Sequence, residues 1–172
     1  MSGSEQMLKA RREVSRAELL ITYRGDGLTM ASFDYVCIAV WDTQPTPMLF
    51  EIQRSKLAAA VLSNPGRQMF LCVVSSGAAP PDQELREASA KMITTYGSKL
   101  AACACVIEGS GFRSAITRTV LTGITLLIRT PSPVHFFESV ASASDWLEKR
   151  AVRGKLTQLP DELALARRTA AT

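Results

Sequence analysis

Three polar stretches in this 172-residue chain each follow an apolar run and precede a helical pattern. Asp42 to Thr46 follows Tyr35–Trp41, Ser75 to Ala79 follows Met69–Val74, and Glu108 to Arg113 follows Leu100–Ile107. The third is the richest in binding chemistry. In Glu108-Gly109-Ser110-Gly111-Phe112-Arg113, free amides at a helix start favour an anion, and Gly111 lets a phosphate or carboxylate come close. It is neither a Walker loop nor a dinucleotide-binding glycine loop, and plain turn chemistry accounts for the same residues. His135, the sole histidine, stands between Pro133-Val134 and Phe136-Phe137, and no nucleophile elbow accompanies it. We therefore expect no catalytic residue.

The four cysteines, Cys37, Cys72, Cys103 and Cys105, all fall inside apolar runs, and none shows C-x2-C spacing. With one histidine, an ordinary Cys/His metal cluster cannot be assembled. The expectation is no metal, no cofactor, and four buried free thiols acting as small apolar residues. Such thiols suit a reducing cytoplasm.

Composition narrows the class further. Apolar residues make up 47% and charged residues 21%, too apolar and too balanced for a disordered chain. No stretch approaches the roughly 18–20 apolar residues of a membrane span, and Met1–Gln6 carries no secretory pattern. The formal charge of +4 is localised. Basic and acidic residues balance, fourteen each, from Met1 to Glu148, while Lys149 to Thr172 holds six basic residues and two acidic ones. A basic terminal segment can reach for phosphate or an acidic partner. This one lacks an aromatic residue for base stacking, so nucleic acid is not an expected partner.

The elements that must position these residues are legible as pattern. Glu18–Arg24 reads as a strand, Gly25-Asp26-Gly27 as a turn, and Leu28–Trp41 as one long or broken strand. Thr46 and Pro47 start a helix in which Met48, Ile52, Ser55, Ala59 and Leu62 recur at helical spacing, widened by Phe50, Leu57 and Val61. Met69–Val74 and Leu100–Ile107 are continuous apolar runs of the kind covered on both faces. Between them Pro80-Pro81-Asp82 opens a helix carrying Leu85, Ala88, Met92, Ile93 and Tyr96, with Gly97 as its C′ residue. Phe112 to Arg129 favours a helix, although Ile124–Ile128 could be a strand. Val134–Phe137 is a short strand, and Ser139 caps a helix bearing Val140, Ala143, Trp146 and Leu147. One more helix is expected near Asp161–Arg168. Strand and helix alternate from Tyr35 onward, which predicts an α/β fold: one mainly parallel sheet of about four to six strands with crossover helices and an N-terminal antiparallel hairpin. The expected layout is a polar lead at 1–17, an α/β domain at 18–150 and a basic tail at 151–172.

The order of elements from about Leu28 to Arg150 resembles the STAS fold of the anti-sigma-factor antagonists, in the branch described as SpoIIAA-like or STAS/SEC14-like. Two further stretches carry the resemblance. Val73-Val74-Ser75-Ser76-Gly77 stands where the antagonists have an Asp-Ser-Ser-Gly motif with one phosphorylated serine. Phe136-Phe137-Glu138-Ser139-Val140 through Trp146-Leu147 is similar to the family's closing strand and helix. Here Val74 replaces the Asp, and Ala78–Pro81 separates Ser76 from the next helix. The resemblance implies a non-enzymatic regulatory or protein-interaction module, and the phosphorylated position maps to Ser76.

Loops at the carboxyl ends of parallel strands are where α/β sheets place ligands. The candidate partner-binding residues are therefore Asp42, Ser75, Ser76, Glu108, Ser110 and Arg113. The expected partner is a protein, with a second copy of the chain as a further candidate. The alternative is a small apolar or lipid-like ligand, which the SEC14-like label implies. It requires an internal pocket of about 300 Å³ or more, with Met92, Ile93, Ile116, Val120 and Phe136 as lining candidates.

Overall fold

Apolar residues alternate between two sets along each central strand, because successive side chains of a strand point to opposite faces. In the computed structural model, which describes residues 18–109, 130–151 and 156–169 together with Ala115, Thr119 and Gly123, both sets are buried. Val36, Ile38 and Val40 join one apolar core, while Cys37, Ala39 and Trp41 join another on the opposite face. The two cores share one sheet between them.

That sheet has six strands in sequence order. β1 (Leu20–Gly25), β2 (Leu28–Phe33) and β3 (Val36–Trp41) form an antiparallel meander, and β4 (Gln68–Val74), β5 (Leu100–Ile107) and β6 (Val134–Phe137) continue it in parallel. Met69–Val74 and Leu100–Ile107 are thus neighbouring and co-directional, as the alternation of elements requires. The stretch Leu28–Trp41 is a broken strand. It folds back on itself at Asp34-Tyr35, with Asp34 at φ 51, and so adds a second hairpin to the one turned by Asp26-Gly27.

The described helices divide between the faces. α1 (Pro47–Ser63) and α2 (Gln83–Gly97) cover one core. α3 (Val140–Glu148) and α4 (Leu159–Arg168) cover the other. Their starts follow local chemistry. The side chains of Thr46, Asp82 and Ser139 each accept a hydrogen bond from a backbone N–H in the first turn, with Pro47 opening α1.

α1 presents a different face from the one its spacing favours. Leu49, Phe50, Gln53, Leu57 and Val61 are buried, whereas Met48 and Leu62 are exposed. Both stripes are apolar, so periodicity alone does not choose between them. The choice follows from what lies beneath. Trp41 carries an indole N–H into the core, and Gln53 supplies the acceptor at 2.7 Å; a buried donor without a partner would cost about 1–3 kcal/mol. Gly97 also has another role than a left-handed cap. It is buried within the last turn of α2, where a Cβ would lie 1.9 Å from Thr130 Oγ1. Glycine is needed there for close approach.

The segment after Arg150, expected to be a basic tail, sends Leu156, Leu159 and Leu163 into the core. The polar lead at 1–17 and most of the helix expected over Phe112–Arg129 lie outside the described residues; Ala115, Thr119 and Gly123 are helical. None of the described helices is long and apolar enough to cross a membrane.

Candidate functional site

Parallel register aligns the ends of three strands. Val40 pairs with Val73, and Val73 with Val106; Trp41 pairs with Val74, and Val74 with Ile107. The backbone ladder then runs one residue further. Ser75 N donates to Trp41 O at 2.9 Å, and Glu108 N donates to Val74 O at 2.9 Å. Asp42 N is held by Gly27 O at 2.8 Å. Asp42, Ser75 and Glu108 therefore form a row just beyond the strands. Each lies two residues after a valine of the α3/α4 core, so strand alternation aims the row toward the face that α4 covers.

A guanidinium fills that row. Arg167, in the last turn of α4, donates from Nη1 to Glu108 Oε1 at 2.7 Å and from Nη2 to Glu108 Oε2 at 2.9 Å. Nη2 also donates to Ser75 Oγ at 2.8 Å and lies 3.5 Å from Asp42 Oδ1. The Ser75 hydroxyl passes its own proton to a hydrogen bond with Asp42 Oδ1. A hydroxyl can accept and donate at once, so Ser75 links the guanidinium to the second carboxylate. The fork-to-fork pairing with Glu108 is the strong, geometrically selective form of an arginine–carboxylate contact. Hydrogen bonding to Glu108 raises the Arg167 pKa, partial burial opposes this, and the charges of Glu108 and Asp42 reinforce it.

The site is partly open. Arg167 keeps 30% of its side-chain exposure, Glu108 28% and Asp42 48%, so solvent and a second molecule can reach all three. Arg24 fastens the helix end, donating from Nη2 to Ala166 O at 3.0 Å. The loops are pressed together at their base. Gly109 sits at φ +96, and a Cβ there would stand 2.8 Å from Ser76 Cβ. Positive φ and that close approach both call for glycine.

Asp42, Ser75, Ser76 and Glu108 are thus brought to one rim, with Ser76 exposed beside the row. Ser76 lies well ahead of α2, whose N-cap is Asp82. Ser110 and Arg113 lie outside the described residues. His135 stands apart from this chemistry, stacked on Trp146 with ring centroids 5.6 Å apart, while Arg150 lies over the same indole. Arg167 was not among the expected site residues, but its signal was present. Leu159, Leu163 and Arg167 recur at steps of four, so the arginine continues the buried stripe of its own helix.

The other sheet face holds a small cleft of about 60 Å³ lined by Trp41, Phe50, Gln53, Cys72, Val74 and Leu85, among others. That is well short of the roughly 300 Å³ expected of a site for an apolar ligand. Of the lining expected for such a ligand, Met92 and Ile93 are buried in the α1/α2 core and Phe136 is half-buried, while Ile116 and Val120 lie outside the described residues. The cysteines are free thiols, three buried and Cys72 half-buried.

Compared with models of protein families and with curated proteins, the chain finds no match.

Proposed function

We propose that this chain is a non-enzymatic regulatory or protein-interaction module of STAS-like kind, working in the cytoplasm, and that its partner docks on the rim at Asp42, Ser75, Ser76 and Glu108. The observation that carries the reading is the row of Asp42, Ser75 and Glu108 at the carboxyl ends of adjacent parallel strands. The row is part-exposed, charged and held in register by backbone hydrogen bonds. Its chemistry suits recognition. Carboxylates paired with a guanidinium orient a partner, and the Ser75 hydroxyl is held between the Asp42 carboxylate and the Arg167 guanidinium. The exposure of Ser76 beside the row is compatible with modification at the position that the sequence resemblance marks.

The test is affinity capture from the native host with quantitative mass spectrometry. The wild-type chain is compared with Asp42→Arg, which reverses the charge on the most exposed carboxylate of the row. The expected result is one protein recovered reproducibly with the wild type and reduced at least about tenfold with the variant, a loss worth about 1.4 kcal/mol or more. Unchanged circular dichroism would establish that the variant is folded. Equal recovery from both chains would overturn the rim as the docking surface.

A further inference from the structure

We propose that the rim is a guanidinium seat, that Arg167 is its resident occupant, and that the partner is a protein segment presenting an arginine which takes the place of Arg167. This rests on the docking surface proposed above and names the chemistry the surface selects.

The seat is defined by what already fills it. Glu108 offers both carboxylate oxygens to the two terminal nitrogens of Arg167 at 2.7 and 2.9 Å. Ser75 Oγ accepts from Nη2 at 2.8 Å, and Asp42 completes the ring of acceptors. A planar fork with donors at both ends satisfies this set; an ammonium is a point charge and cannot meet both Glu108 oxygens in the same way. Asp42, Ser75 and Glu108 are the first residues past three neighbouring strands locked in register, so their backbones are positioned before anything arrives. Two carboxylates this close also repel when the cation leaves, so an empty seat draws another one.

The occupant, by contrast, is built to leave. The apolar anchors of its segment are Leu156, Leu159 and Leu163, all buried and all earlier in the chain than Arg167. Beyond Leu163 the helix is secured by polar contacts: Leu165 is 52% exposed, and Arg24 holds one carbonyl. Unwinding the last turn therefore frees the guanidinium while the leucines stay in the core. An incoming arginine has the same acceptors to gain and must outcompete only this tethered one. Arg167 thereby weakens every competitor by the reciprocal of the fraction of time the seat stands empty.

The experiment uses the full chain labelled with 15N, as wild type and Arg167→Ala, titrated with N-acetylarginine methylamide and separately with N-acetyllysine methylamide. Saturable shifts of the Ser75, Gly109 and Glu108 amides are expected in Arg167→Ala with the arginine compound. The apparent affinity in the wild type should be weaker by at least about tenfold. The lysine compound should bind more weakly than the arginine compound in both chains. Adding Asp42→Asn and Glu108→Gln to Arg167→Ala should abolish the shifts. If Arg167→Ala fails to give a dispersed spectrum, Arg167→Gln takes its place.

Absence of saturable shifts at the rim in the folded arginine-less variant would overturn the proposal, as would equal affinity in wild type and variant or equal binding of the lysine compound. The two readings fail separately. An arginine compound that fills the rim, with partner capture indifferent to Asp42→Arg, leaves the seat standing and removes the docking surface. Capture that depends on Asp42, with no arginine bound at the rim, does the reverse.

Discussion

Single residues in this protein are placed by what their polar atoms can find. Gln53 is buried because the Trp41 indole N–H needs an acceptor there, and its own amide reaches Met92 Sδ at 3.7 Å. Ser75 satisfies both halves of its hydroxyl between Asp42 and Arg167. Ser144 is the contrast. Its hydroxyl is buried on α3, 1% exposed as a residue, with no hydrogen-bond partner among the described residues. An unpaired buried hydroxyl costs about 1–3 kcal/mol, and alanine is the better helix former. Ser144→Ala should therefore raise the free energy of unfolding by about 1 kcal/mol, read from the urea midpoint at constant slope. A fall in the midpoint would show that the hydroxyl has a partner.

At the scale of elements, α4 links the core to the rim. One face of a ten-residue helix holds Leu159 and Leu163 against the sheet and, one turn on, Arg167 against Glu108. Packing and the ionic contact thus share a single geometry, and loss of the first should loosen the second. Leu163→Ala removes a side chain that is 2% exposed and should cost about 2–4 kcal/mol in urea unfolding. Leu165→Ala, at a position 52% exposed, should stay within about 0.5 kcal/mol of the wild type. Equal effects at the two positions would mean that α4 does not pack on the face described.

Across the whole molecule, burial of the sheet face beneath α1 and α2 leaves a chemical signature in the thiols. Burial pushes the Cys37 thiol up from 9.0 to about 12, against a smaller pull from Lys56. Cys103 is raised chiefly by burial, and Cys105 by its hydrogen bond with Cys72 and then by burial. The folded state thus favours protonated thiols, and their contribution is complete below about pH 9. As pH rises through that value the unfolded chain gains thiolates and the folded one does not, so stability falls by up to about 1.4 kcal/mol per pH unit per thiol. Urea midpoints at about pH 8 and about pH 10.5 should differ accordingly, and Cys37→Ala should lessen the difference. Midpoints that coincide in the wild type would mean the thiols are not shielded.

Much of this architecture was legible in the chain because its signals are local. Thr46-Pro47, Asp82 and Ser139 announce helix starts through hydrogen bonds that span only a few residues. The continuous apolar runs Met69–Val74 and Leu100–Ile107 identify central strands because both faces of each must be covered. The rim residues followed from the strand ends, as Asp42, Ser75 and Glu108 are the first residues past β3, β4 and β5. Other features depend on contacts between residues far apart in sequence. Which apolar stripe of α1 turns inward hangs on Trp41, and the need for glycine at position 97 on Thr130. The seat of Arg167 hangs on residues 59 and 92 positions earlier. Periodicity describes one element at a time, whereas a hydrogen bond between two of them exists only once both are packed on the same sheet.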